Sequence, residues 1–318
     1  MKDIFLSVDW GTSNFRLRLV EKSSMHVMKE LVSSFGVKAL YSEWQQHGGD
    51  REFIFLHFLK QQIEQLGVDI PTDIEIVISG MASSNIGIRE LPYASLPFNI
   101  DGKGLYVESI KHSLFPYGFQ LISGVCSDSD VIRGEETQMI GLAGKEDLYR
   151  KSIFILPGTH SKHIVCENGK ITGFTTFMTG ELFQVLSTYS ILKSSVEKPG
   201  PDFTDWKVFD DAVLASRARP SILSSLFGIR TRDILNKKSS MENYYYLSGL
   251  LIGEEMAALS SISCDKIVLC AGDNLYDFYK RAIQVLGFGD RAIEIDEKNV
   301  EASIIKGQLI ILKQNNGA

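Results

Sequence analysis

Ile4-Phe5-Leu6-Ser7-Val8-Asp9-Trp10-Gly11-Thr12-Ser13-Asn14-Phe15-Arg16-Leu17-Arg18 opens the chain as a strand, an acid, a turn of small residues and a second strand. Residues 4–9 alternate with a period of two, and residues 15–20 do so again with Arg16 and Arg18 on one face. A third run over 27–32 completes a meander. Working outward, 51–66 has the apolar spacing of an amphipathic helix, and 74–78 is a buried-type strand ending at Ser79-Gly80. A helix is expected over 104–115, a strand over 119–122 and a helix over 135–143. The second half repeats this order. Strands over 153–156, 163–166 and 171–177 are separated by a turn at Gly158 and an Asn168-Gly169 hairpin signal. Helices follow, the clearest at 243–261, then a strand over 266–271, a helix over 274–286, a strand over 292–295 and a last helix over 299–312. Residues 194–240, with Pro199, Pro201 and Pro220, interrupt the second copy without clean periodicity.

This pattern predicts an α/β protein of two duplicated domains, 1–147 and 148–318, each a mixed sheet flanked by helices, with a cleft between them. The last helix is free to return to the first domain. A length of 318 residues with 44% hydrophobic and 23% charged residues suits two globular domains. The net charge of −6, from 33 basic and 39 acidic residues, gives no footprint for nucleic acid or an anionic membrane. Four cysteines, none at CxxC spacing, argue against a zinc site or a disulfide framework and suggest reduced thiols in a cytoplasmic protein. Asp9 breaks any signal-peptide core, and no apolar run reaches the roughly 18 residues of a membrane span. Oligomeric state is open: Tyr244, Tyr245, Tyr246 and Phe227 suit core or a dimer face, with core the simpler reading.

Five local patterns carry chemistry. In the first turn, Gly11 allows an anion close to the backbone, Thr12 and Ser13 add hydroxyls, and Asp9 can hold magnesium against phosphate oxygens. A plain hairpin turn is the competing reading. Gly158-Thr159-His160-Ser161 stands at the equivalent turn of the second copy, so two hairpins can clamp one polyphosphate. His160 and His163 lack a third ligand nearby and line or support that turn. Arg133-Gly134-Glu135-Glu136 precedes a helix, where a carboxylate can take a hydroxyl proton and Arg133 can steer an anion. Helix-dipole complementation is the alternative use of an acid there. Gly272-Asp273-Asn274 opens a helix at a strand end and suits a ribose or phosphate. The loop Gly80-Met81-Ala82-Ser83-Ser84-Asn85, with Arg89, offers hydroxyls, an amide and a cation to a polyhydroxylated acid.

The duplicated order with two Gly-Thr hairpins is similar to the actin, hexokinase and Hsp70 superfamily, whose domains are ribonuclease H-like. Val8–Asn14, Gly80-Met81, residues 84–87, 133–138 and 157–162, Met178-Thr179-Gly180-Glu181-Leu182 and 247–253 together resemble the 2-dehydro-3-deoxygalactonokinase family over about 1–310. That resemblance implies transfer of the ATP γ-phosphate, with Mg2+, to the 6-hydroxyl of 2-dehydro-3-deoxy-D-galactonate in galactonate catabolism. By position, Glu135 is the implied base and Glu136 the alternative, because related sugar kinases carry Gly-Asp-Gln there. Asp9 organises the metal. Gly11, Thr12, Ser13, Gly158, Thr159 and His160 hold phosphate, while Arg16 or Lys162 offsets charge. Gly180, Gly272, Asp273 and Asn274 border adenosine, and Gly80, Met81, Ser84, Asn85, Arg89 and Arg133 take the sugar acid. The alternatives are an actin-fold ATPase acting as a conformational switch, and a kinase of a related sugar acid.

Overall fold

A computed structural model describes residues 3–142, 151–218 and 221–316. The chain divides into two units, Met1–Asp147 with Gly169–Gly173 and Lys298–Ala318, and Leu148–Asn168 with Phe174–Glu297.

The first unit is built on β1 (Ile4–Trp10), β2 (Phe15–Glu21) and β3 (Val27–Ser33), followed by α1 (Val37–His47), α2 (Arg51–Gln65) and β4 (Glu75–Gly80). Next come β5 (Ala94–Ser95), β6 (Phe98–Asn99), β7 (Val107–Lys111), β8 (Gly118–Ile122), β9 (Val125–Cys126), β10 (Val131–Ile132) and α3 (Glu135–Leu142). The main sheet runs β3-β2-β1-β4-β8-β7. β1 is central and buried on both faces, pairing antiparallel to β2 (Asp9 opposite Arg16) and parallel to β4 (Asp9 opposite Ser79). Leu6, Val8 and Trp10 point into a core closed by Val37 and Leu40 of α1 and Phe55 and Leu59 of α2. The Trp10 ring lies 4.8 Å from Phe15 and 5.5 Å from Phe55. Asp50 caps α2 by accepting the Phe53 N–H.

The expected helix over 104–115 is replaced by strand β7, paired antiparallel to β8. As an edge strand, β7 buries only Ile110 of its five residues, so its sequence carries no clear period. α1 was not foreseen.

In the second unit β11 (Lys151–Leu156), β12 (Ser161–Glu167) and β13 (Lys170–Phe177) lead to α4 (Thr179–Tyr189). Then follow α5 (Trp206–Ala218), α6 (Ile222–Asn236), α7 (Ser240–Ala257), β14 (Lys266–Cys270), α8 (Asp273–Val285), β15 (Ala292–Ile295) and α9 (Glu297–Asn316). Its strand order, β13-β12-β11-β14-β15, repeats β3-β2-β1-β4-β8 of the first unit. α7 is buried around most of its circumference, and a capping box fixes its start: Ser239 Oγ accepts the Glu242 N–H while Glu242 Oε2 accepts the Ser239 N–H. The stretch 194–240 is not irregular, as α5 and α6 lie within it. α5 buries Val208, Phe209, Ala212 and Val213. α6 displays much of its apolar surface outward, which blurs the expected stripe. Tyr245 and Tyr246 are core and Tyr244 is half-buried, but Phe227 is 57% exposed and is not core.

From Lys298 onward α9 belongs to the first unit and crosses α3 at glycines. A Cβ on Gly141 would stand 1.6 Å from the Ser303 carbonyl oxygen, and one on Gly307 would stand 1.9 Å from that of Thr137. Gln308 Nε2 donates to Val8 O and Ser79 Oγ, both at 2.8 Å, tying α9 to the sheet.

Candidate functional site

Within the first unit, the carboxyl ends of the parallel strands β1 and β4 meet the start of α3. Gly80 has φ +92° and Gly134 φ +107°, a left-handed region open to glycine. A Cβ on Gly80 would fall 2.7 Å from the Trp10 carbonyl, and one on Gly134 would fall 3.3 Å from the Gly80 Cα. This close approach brings Asp9, Gly80, Arg133 and Glu135 to one place. The Asp9 carboxylate makes no hydrogen bond or ion pair with a described residue, and burial raises its pKa against the opposing pull of Arg18 and Arg16. Just beyond it, Gly11 N–H closes the turn on Asn14 O at 2.8 Å. The N–H groups and hydroxyls of Thr12 and Ser13 have no partner among the described residues, so they are available to an anion. Arg16 is held by Glu301 at 2.7 Å and Glu30 at 3.7 Å.

The two glutamates differ in access. Glu135 is half-buried and its Oε2 accepts the Arg133 N–H at 2.8 Å. Glu136 is fully buried, accepts the Gly134 N–H at 2.7 Å and pairs with the Thr137 hydroxyl at 2.9 Å. Burial, reinforced by the charge of Glu135, raises the Glu136 pKa to about 7. Among the described residues no group of three His, Cys, Asp or Glu side chains can hold a metal. A lone, unpartnered Asp9 suits a magnesium ion that takes most of its ligands from phosphate and water.

The loop after β4 is tightly folded. Ser84 is buried with its hydroxyl on Met81 O at 2.7 Å, whereas Met81 is half-buried and Asn85 exposed. Arg89 is clamped by both oxygens of Glu52, at 2.8 and 2.9 Å, and by Glu108. Its guanidinium therefore serves the loop rather than standing open to an anion. Arg133 is 8% exposed, donates to Ser83 Oγ at 2.7 Å and lies 4.0 Å above the Tyr93 ring. Its named partners are all neutral, so its positive charge is retained.

In the second unit the turn after β11 leaves the N–H groups of Gly158 and Thr159 and the Thr159 hydroxyl without described partners. Thr159 O accepts the Glu181 N–H at 3.0 Å, bringing α4 so close that a Cβ on Gly180 would fall 2.5 Å from Gly158 O. His160 Nε2 meets Glu181 Oε2 at 2.6 Å, and the buried Lys162 ammonium donates to His160 O at 3.0 Å. Gly158, Thr159, Thr179 and Gly180 form the polar end of a cavity of about 260 Å³. Phe183, Leu251, Ile252, Leu275 and Phe278 give it apolar walls. Apolar walls with a few convergent polar groups suit a flat heteroaromatic ring carrying phosphates. Gly272 caps α8 outside this lining, and the side chains of Asp273 and Asn274 lie outside the described residues.

The sequence profile of the 2-keto-3-deoxy-galactonokinase family matches residues 9–306. The chain belongs to that family. It is 29% identical over 303 residues to a provisionally named 2-dehydro-3-deoxygalactonokinase of Rhizobium meliloti (strain 1021), covering 92% of this chain and 93% of that one. The 2-dehydro-3-deoxygalactonokinase of Escherichia coli (strain K12) is 28% identical over 298 residues, with the same coverages. A crystal structure from Sinorhizobium meliloti, provisionally described as the same kinase, superposes with a TM-score of 0.78 at 27% identity over 96% of each chain. Component A of Acidaminococcus fermentans (R)-2-hydroxyglutaryl-CoA dehydratase, at TM-score 0.50 and 10% identity over 99% of each chain, shares the fold alone.

Sequence reasoning missed one part of the site in this galactonokinase-family chain. Glu255 of α7, 2% exposed, accepts Ser161 Oγ at 2.6 Å, Tyr279 OH at 2.7 Å and the Thr179 hydroxyl, and meets His163 Nε2 at 3.0 Å. Burial opposes its charge, yet His163 and the two hydroxyls of Ser161 and Thr179 hold its pKa below the ordinary value. This buried carboxylate ties the turn after β11, the start of α4 and α8 together. The signal in the sequence is weak: Glu255 stands beside an exposed Glu254, and only its position on the buried face of α7 sets it apart.

Proposed function

We propose that this galactonokinase-family phosphotransferase moves the γ-phosphoryl of ATP to the 6-hydroxyl of 2-dehydro-3-deoxy-D-galactonate, giving 2-dehydro-3-deoxy-6-phospho-D-galactonate. The observation that carries the mechanism is the half-exposed Glu135, fixed by the Arg133 N–H at a junction that also holds Asp9. An acceptor hydroxyl can reach Glu135, whereas the fully buried Glu136 is out of reach despite a pKa near neutrality. Arg133, buried and hydrogen-bonded only to neutral groups, acts through its positive potential on the acid's carboxylate rather than as a free donor. Gly158 and Thr159 of the second unit offer backbone donors to phosphate oxygens, and the apolar cavity beside them takes the base. Within the first unit, Thr12 and Ser13 beside Asp9 offer donors to an anion. Asp9 is the residue that would hold a magnesium ion, which would supply charge neutralisation on the triphosphate.

Phosphoryl transfer needs little covalent help from the protein, so positioning these groups is most of the work. No helix among the described residues is long and apolar enough to cross a membrane, and we place the reaction in the cytoplasm. A conformational switch would have no use for Glu135 beside a retained Arg133 charge, and family membership does not favour it. The test is a coupled assay of ADP release over a panel of six-carbon 2-dehydro-3-deoxy acids, the gluconate epimer included. The highest kcat/KM is expected for the galactonate acid. ADP release indifferent to every acid would reject the kinase, and a preference for the epimer would reassign its substrate.

A further inference from the structure

Two neighbouring helices of the second unit turn apolar stripes to solvent. On α4, Met178 at the N-cap, Leu182, Val185 and Tyr189 are spaced by four, three and four residues and are 51%, 43%, 43% and 79% exposed. That spacing places them on one line about 16 Å long. On α6, Leu223, Phe227 and Ile234 form a second line, 75%, 57% and 55% exposed. The turn Ile191–Ser194 joins the two: Ile191 is 64% exposed, and Arg230 of α6 donates to Ser194 Oγ at 3.3 Å and Ser195 Oγ at 3.0 Å. Arg230 is itself neutralised by Asp233 at 2.9 Å. These eight side chains together show roughly 800 Å² of apolar surface, at about 100 Å² each. That exceeds the largest patch on a typical monomer and equals what one partner gives to a stable interface, about 800 Å².

We propose that this α4–α6 face is the interface of a homodimer. A twofold contact sets the same patch against itself, so the patch must be self-complementary in charge as well as shape. The stripes themselves meet that condition: the α4 line is uncharged, and of the two arginines between the α6 positions Arg230 is paired with Asp233 while Arg232 lies over the Tyr246 ring at 3.9 Å. The exposed Lys193 of the joining turn therefore has to stand at the rim of the contact. A lipid surface is a poorer fit, because α4 carries no Lys or Arg and the two arginines of α6 are engaged by Asp233 and the Tyr246 ring, which leaves Lys193 alone to meet anionic headgroups. None of the stripe residues lines the cavity beside Gly158 and Gly180.

Sedimentation velocity of the full chain, from about 1 to about 100 µM, reads the state directly. A dimer is expected, with Leu182→Glu and Phe227→Glu each weakening it about 100-fold. Leu114→Glu, at a 63% exposed residue of the first unit, should leave it unchanged. Far-UV circular dichroism checks that each variant folds. Hydrogen exchange of the wild type needs no variant: protection of 178–191 and 222–236 should rise with concentration. A wild type that stays monomeric, a dimer that both variants retain, or exchange in these segments independent of concentration would overturn the proposal. A monomer would leave the face to a different protein.

Discussion

The turn after β1 and the turn after β11 share a place in the duplicated topology but differ in what stands behind them. The first follows Asp9, an unpartnered carboxylate flanked by Arg16 and Arg18, and meets a helix whose first turn carries two glutamates. The second follows an apolar strand end at Leu156, with its histidine and lysine already committed to Glu181 and to the turn's own carbonyl. Behind it lie a buried hydroxyl-rich hub on Glu255 and an apolar cavity. One sheet plan thus carries a cluster of acids and arginines behind the turn in the first unit and a buried polar hub with an apolar cavity in the second, which under the proposed function divides proton handling from recognition. Duplication fixed the position of the turn, and the residues behind it divided the labour.

The comparison is broken most directly at Glu135. Glu135→Gln should lower kcat about 1,000-fold while leaving ATP affinity unchanged, measured by turnover and by calorimetric titration. A matching loss of ATP binding would mean that the first unit also does the recognising. Next in size, Glu255→Ala should cost about 3–5 kcal/mol of stability in urea titration, because it strands His163, Thr179 and Tyr279 in a buried site. Third is the pH response of Glu136. Its native carboxyl keeps a proton up to about pH 7, whereas an unfolded glutamate loses it near 4.5. The native state therefore binds more protons in that window, and stability falls as pH rises through it. Glu136→Gln should flatten the melting temperature between these pH values, removing a slope worth up to about 3 kcal/mol. Smallest, Gly180→Ala should raise KM for ATP about 10-fold with KM for the acid unchanged, because the new Cβ pushes on Gly158 O. Equal effects on both constants would blur the division between the turns.

Much of this plan was readable because central strands alternate or run apolar. β2 shows its period in Phe15, Leu17 and Leu19, while β1 and β11 show as short apolar runs of Ile, Leu, Val and Phe bounded by turn residues. α1 and α4–α6 were harder. α4 and α6 show apolar residues to solvent as well as to the core, so no single stripe stands out. β7 lies at a sheet edge, where polar residues are tolerated, and its pairing with β8 overrode a helical reading. At the site, the turn residues and Glu135 announced themselves by type and place. The internal ties of Arg89, Arg133 and Ser84 did not, because their partners depend on how the loop folds back. Glu255 was hidden for the same reason, since Ser161, His163 and Thr179 lie 94, 92 and 76 residues away along the chain.

The crossing of α9 over α3 sets an order on the birth of the molecule. Gln308, 300 residues after Val8, supplies the donor for that strand's carbonyl, and Gly307 fills the space against Thr137. A ribosome working from the amino terminus must deliver the entire second unit before that helix emerges. The half that is synthesised first is therefore the half that is sealed last, and until α9 has emerged the end of its central strand waits on a partner not yet made.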